Sequence, residues 1–487
     1  MKNTIKIFSI MAVLLLLVGS CQPFETDLEV ENLENPNDNI LTSDPVALEA
    51  TAGTLIQNWF MSIHSYNGPG AAFATMADVS TCSWGNFGMR DTSSEPRVAW
   101  NNTSSYGNQY VTNTYFNALY SVLSDSNTLA LAIKNETDFD DPAQIEAIAK
   151  FGQALSTGYL ALVFDKVWLS DENGVVDENG STYQEAMIFA LKKLDEAIAV
   201  AEAHDVSIPE SWLPGGAGNS TTLLQFMNSM GARMLVGNVR NTSQKGAIDW
   251  NKVLNYTENG LTTDFEIYMD DVAWYDLIPK TYLIYPGWAR VDMRVVAMMA
   301  NDDTPDYWEE NVSFQPESTS DDARLLTDYG YLGSNSFRPE RGKYHFSSYR
   351  YSRYDEYITL WTMNVVEYAK AENDMYMAEA MALTGDVAGA AAVINAGTRT
   401  TRGNLPDVAA DLDAVKEAIF YERMVEFSFT SMGLSFFEMR KEDLLQSGTL
   451  LHFPTPGKAL EAIPAPNYTF GGGQGVAGED YSNGGWR

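Results

Sequence analysis

Between Tyr183 and His204 the apolar residues Met187, Leu191, Leu194 and Ile198 recur every three or four positions, with Lys192, Lys193, Asp195 and Glu196 set among them. That period predicts an amphipathic helix with one stripe turned to a core. Comparable stretches predict helices at Pro45 to about His64, about 108–134, Pro142 to Val167, Thr221–Arg240, Trp250–Leu261, Tyr368–Leu383, Val387 to about Thr398 and Leu412–Phe429. Thr42-Ser43-Asp44 followed by Pro45 supplies capping residues and a first-turn proline for the earliest of them. Two long stretches, about 65–107 and 262–361, hold no sustained period and are expected to be inserted loops.

Residue size carries a second pattern. Small Ala378, large Met381 and Gly385 lead through Val387 to small Ala390, large Ile394 and small Gly397. Alternating small and large residues let antiparallel helices approach and then fill the space between them, as in tetratricopeptide repeats. With the helices at 45–64 and 108–134, those at 142–167 and 183–204, and the pair at 221–261, the chain predicts a mostly α fold of four tetratricopeptide-like helix pairs with long inserted loops.

The N-terminus has its own pattern. Met1 to Lys6 is basic, Ile7 to Val18 is apolar but too short to span a bilayer, and small residues then run into Cys21. This resembles a bacterial lipoprotein signal. It implies a signal peptide over 1–20, a lipid on Cys21 and an acidic tether over 21–44, with one domain over 45–487. With Cys21 lipidated, Cys82 has no cysteine to pair with.

Charge narrows the function. A net charge of −34 over 487 residues repels nucleic acid and anionic headgroups, so membrane attachment must come through the lipid. The sequence holds 4 His, none in zinc-ligand spacing. There is no Gly-x-Ser-x-Gly elbow or Walker loop, so no catalytic residue, metal or cofactor is assigned. Gly473-Gln-Gly475-Val-Ala-Gly478 has the dinucleotide spacing but too few residues after it for the required helix. Asp171-Glu-Asn-Gly174 and Asp177-Glu-Asn-Gly180 lack the Gly and Glu of a calcium loop and predict a turn or hairpin.

The inserted stretches concentrate Trp and Tyr among Asp, Asn and Arg. Aromatic faces stack on the C–H faces of sugars while polar groups meet the hydroxyl rim. The candidate ligand residues are Trp84, Trp100 and Tyr106 in the first stretch and Trp274, Tyr275, Tyr285 and Trp288 in the second. Arg90, Asp78, Asn86, Asn101 and Asp292 are the candidate polar partners.

Glu422, Arg423, Glu426 and Phe429, followed by Phe437-Glu438-Met439-Arg440, give this chain a further resemblance. After a tetratricopeptide pair, this order resembles the C-terminal core of the SusD/RagB family, nutrient-binding lipoproteins on the surface of Bacteroidetes-type bacteria. Where that family usually has Gly-x-Arg before the aromatic pair, this chain has Gly433-Leu-Ser435. The resemblance implies an oligosaccharide ligand held by the inserted regions and an outer-membrane, extracellular, lipid-anchored location. It also implies a SusC-like TonB-dependent transporter as partner, with this protein as its lid and no bond made or broken. A peptide ligand and a surface glycoside hydrolase remain the alternatives.

Overall fold

The computed structural model describes residues 44–82, 85–94, 96–174, 179–306, 315–333 and 346–473. The signal, Cys21, the tether, Trp84 and the glycine motif beyond Gly473 lie outside them. Two expected starts are visible in the caps. Asp141 accepts from the Gln144 amide before the helix Pro142–Val163, and Thr182 and Glu185 form a reciprocal capping box before the helix Tyr183–His204.

The scaffold helices are α1 (Pro45–His64), α2 (Tyr110–Lys134), α3 (Pro142–Val163), α4 (Tyr183–His204), α5 (Ser220–Gly237), α6 (Trp250–Glu258), α7 (Lys370–Thr384), α8 (Val387–Ala396), α9 (Leu412–Glu426) and α10 (Leu434–Lys441). From α2 to α8 each packs on the next, which gives the mostly α repeat architecture; α1 lies against α2 and α3. Small residues set the spacing: a Cβ on Gly152 of α3 would sit 2.2 Å from the Ser126 hydroxyl of α2. One apolar core runs through α1–α6, centred on side chains such as Trp59, which meets Tyr159 edge-on at 5.2 Å.

The C-terminal motif ties this scaffold together. Arg440 is fully buried and donates to the carbonyls of Leu162, Gly237, Val239 and Leu451 at 2.6–3.2 Å. Arg240 beside it donates to Ala161 at 2.6 Å. These two guanidiniums satisfy the last carbonyls of α3 and α5, at the negative ends of both helix dipoles. On α9, Glu422 and Glu426 hold Arg324 at 2.7 and 3.1 Å, fastening the second insertion. Arg423 points the other way, to Glu379 of α7 and Glu438 of α10.

The insertions are more ordered than their sequence suggests. The first contains a helix, Gly70–Met76, the strand β1 (Ser80–Cys82) and a helical turn, Met89–Thr92. The turn-rich segment after α3 is closed by β2 (Lys166–Val167) pairing antiparallel with β3 (Ser181–Thr182), the expected hairpin. The second insertion holds β4 (Phe265–Met269), β5 (Ala289–Val291), β6 (Tyr329–Tyr331), β7 (Tyr349–Tyr351) and β8 (Met363–Tyr368). These strands form two-stranded antiparallel ribbons, β4 with β8 and β6 with β7. Tyr368, expected to open a helix, ends β8 instead, and α7 starts at Lys370. The residues after Arg440 lie against the first insertion: Trp100 donates its amide to Phe470, and Gly473 donates to Arg97.

Candidate functional site

The two insertions meet through β1 and β5, with Ser80 opposite Val291, Thr81 opposite Arg290 and Cys82 opposite Ala289. Beside this pairing the chain makes a left-handed turn. Gly85, Phe87 and Gly88 all have positive φ, of 74°, 57° and 72°. A phenylalanine in that region is uncommon and costs backbone energy, which its ring packing must offset. The ring stacks on Tyr66 (5.5 Å, 7°) and meets Tyr282 edge-on at 4.7 Å and Tyr110 at 6.5 Å.

From Tyr282, on a single π-helical turn at Ile278–Tyr282, the run continues to Trp288 at 5.2 Å and to Tyr285 at 4.6 Å. The last step is built by a turn. In Tyr285-Pro286-Gly287-Trp288, Gly287 has φ 95° and the Trp288 amide donates to the Tyr285 carbonyl at 3.1 Å. Proline second and a positive-φ glycine third make a type II turn, which brings its first and fourth side chains together. The two rings stack at 30°. An arc of rings therefore runs from the start of α2, through the first insertion, to the second. Phe87 and Tyr282 are buried at its centre, while Tyr285 is exposed and Tyr66, Tyr110 and Trp288 are half-buried.

The other sequence candidates fall in different places. Trp100 is 3% exposed, its indole against Phe453 (4.9 Å) and Tyr106 (5.3 Å), because the C-terminal segment covers it. Tyr106 is half-buried; it donates to Asp91 and accepts from Asn108. Burial and then the bond to Asp91 push its phenol well above the usual value. Trp274 is buried against Phe60. Asp78 is buried between Arg97 (2.7 Å) and Arg294 (3.0 Å) and so holds loops together. Asp292 is buried and accepts from the Arg294 amide.

Arg90 and Asn86 are exposed near Phe87 in the chain, with the Arg90 guanidinium lying over Gly85. Asn101 is exposed and accepts from the Thr103 amide and hydroxyl. Tyr275 is half-buried and lines a cleft of about 340 Å³ between α1 and α2. The structure thus gathers Tyr285 and Trp288 at one end of the arc and leaves Trp100, Trp274 and Asp78 inside the protein.

Sequence reasoning missed Tyr66, Phe87, Tyr110 and Tyr282. Glycines flanking Phe87 and the Pro-Gly between Tyr285 and Trp288 were the signals available for special turns at these points. Among the described residues no cluster of His, Cys, Asp or Glu is arranged to hold a metal ion. The arc reaches solvent at its Tyr285 and Trp288 end.

No family model matches the chain, and no curated protein matches it in sequence. Solved structures do match in fold. A SusD superfamily protein from Bacteroides vulgatus superposes with a TM-score of 0.60 at 15% identity, over 87% of this chain and 98% of its own. A surface glycan-binding protein A from Bacteroides uniformis gives 0.56 at 14% identity, over 88% and 99%. A SusD-like carbohydrate-binding protein from Bacteroides fragilis gives 0.56 at 13%, over 82% and 86%. The architecture is therefore that of the SusD-like structures along most of the chain.

Proposed function

We propose that this chain is a cell-surface glycan-binding lipoprotein that captures an oligosaccharide on the aromatic arc. It then passes the ligand to a SusC-like TonB-dependent transporter in the outer membrane, which it closes as a lid. The observation that carries this reading is the arc itself, with Tyr285 and Trp288 set side by side by a type II turn and reaching solvent. A sugar's C–H face stacks on such rings, and a rigid aromatic loses little side-chain entropy on binding. The fold supports it, since neighbours that share the architecture are a SusD-like carbohydrate-binding protein and surface glycan-binding proteins.

In this reading Tyr285, Trp288 and Tyr275 contact ligand, with Arg90 and Asn101 at the rim. Trp100, Trp274 and Asp78 brace the loops from behind, and Tyr106 orients Asp91. Cys21 carries the lipid that anchors the protein to the outer face. No residue is assigned to bond cleavage.

The test is a glycan array probed with purified protein, followed by calorimetry on the hits. Trp288→Ala and Tyr285→Ala are each expected to weaken binding about tenfold or more. Unchanged affinity in both variants removes the arc as the site. New reducing ends released from a bound glycan would turn the reading to a hydrolase.

A further inference from the structure

The cleft between α1 and α2 has a composition that packed helices do not need. On α1 and just past its end it is lined by Asn58, Ser62 and Ser65, and on α2 by Thr114, Ala118 and Ser121. These positions are three, four or seven apart, the spacing of a helix's contact stripe. Elsewhere on α1 that spacing is filled by Leu48, Leu55, Trp59 and Ile63, all buried. Beside Met61 and Tyr115 the cleft is lined by these small and polar side chains, and about 340 Å³ is left open between the helices.

We propose that this cleft is a second subsite that holds further uncharged sugar units of the glycan bound on the arc; the inference rests on the glycan reading of that arc. None of the lining residues is charged, although the chain carries −34 and 20% of its residues are charged. A uronate or sulfate would find no counter-ion here, and an ammonium group no carboxylate. What the walls offer is hydrogen bonding. The side-chain amide of Asn58 and the hydroxyls of Thr114, Ser121 and Tyr275 make no hydrogen bond among the described residues, so their capacity is free for ligand hydroxyls.

Tyr275 is held ready. On one side Trp274 packs on Phe60, and Gln57 of α1 donates to the Ala273 carbonyl at 2.8 Å. On the other, Asp276 meets His64 at 2.8 Å and donates its amide to the Tyr357 hydroxyl. The backbone that carries the ring is thus fixed before ligand arrives, which lowers the entropy cost of binding. The cleft also continues the arc. Tyr66 lies between Ser65 and Asn67, both lining residues, and Tyr110 precedes Thr114 by one helical turn. An extended chain of sugars leaving the rings along α2 would enter the cleft.

The experiment compares chain lengths. Size-graded neutral oligosaccharides (glucans, mannans, xylans and galactans) and acidic oligogalacturonides are titrated into wild type, Asn58→Ala/Ser121→Ala, Trp288→Ala and Tyr285→Ala. Both cleft positions are exposed, and matching thermal melts confirm the fold of each variant. The cleft variant is expected to bind short neutral chains as wild type does and long ones about tenfold more weakly. Trp288→Ala should weaken every length. Equal affinity of wild type and cleft variant for long chains overturns the subsite while leaving the arc intact. Tightest binding to oligogalacturonides overturns the uncharged class. Full binding by both Trp288→Ala and Tyr285→Ala, or no binding of any glycan by wild type, overturns the arc reading and the subsite with it.

Discussion

Both ring nitrogens of His64 face carboxylates: Nδ1 lies 2.8 Å from Asp276 and Nε2 2.8 Å from Glu367, all fully buried. Lys280 also meets Asp276, at 3.3 Å, and Arg233 lies 3.7 Å from Glu367 and 2.7 Å from Glu372, while Phe60 stacks on the ring. Burial alone would push the imidazole toward its neutral form, but the charges of Glu367 and Asp276 outweigh it and hold the pKa above 6.5. The group therefore contributes stability that is fully present below pH 6.5 and is lost as pH rises through its higher folded value. Asp276 and Glu367 are held below their ordinary values, so their share is present above the ordinary carboxylate range and lost as pH falls through their folded values. His64→Leu leaves two carboxylates without that cation and is expected to cost about 3–5 kcal/mol in urea unfolding at neutral pH. The difference from wild type should shrink in alkaline buffer; a constant difference across pH would show that the ring is not charged in the fold.

At the scale of elements, what was legible followed from local chemistry. The helices announced themselves because Met187, Leu191, Leu194 and Ile198 repeat within one element and Thr182 caps it a few residues away. The Phe437-Glu438-Met439-Arg440 tail was readable as part of a resemblance to SusD-like proteins, though the carbonyls that Arg440 binds come from α3 and α5, far back in the chain. The insertions were opaque for a physical reason. A three-residue strand such as β1 has no measurable period, and its partner β5 lies more than 200 positions later, so only the folded chain defines it. Burial of Trp100 was equally hidden, since Phe453 and Phe470 reach it from the other end of the sequence. The type II turn was the readable exception, and it gives a sharp prediction. Gly287→Val at φ 95° strains the backbone by about 1–2 kcal/mol and parts the stacked rings. Glycan affinity should fall several-fold while the melting temperature drops only slightly, because a strain of this size is small against the unfolding entropy of so large a domain. A drop in melting temperature with affinity intact would mean that the turn serves only the fold.

For the molecule as a whole, charge and recognition are kept apart. The chain carries −34, yet the cleft beside the arc has a neutral lining, and many internal charges are paired in buried clusters such as Arg324 with Asp322, Glu422 and Glu426. Buried pairs are little affected by salt, whereas exposed charges separated by more than about 8 Å are screened at physiological ionic strength. Binding of a neutral glycan is thus expected to be the same in low and half-molar salt by calorimetry. A steep loss of affinity with salt would indicate that an ionic contact, with Arg90 the nearest exposed cation in sequence to Phe87, carries the ligand. The same two-insertion construction bears on how the protein comes to work. A fragment ending before Ala289 keeps every ring of the arc but loses the strand β5 that pairs with β1, one starting after Cys82 loses Tyr66 and β1, and the ribbon closes a loop of nearly half the polypeptide. If the arc is the glycan site proposed above, sugar affinity requires that long-range closure and doubles as an assay of correctly completed topology.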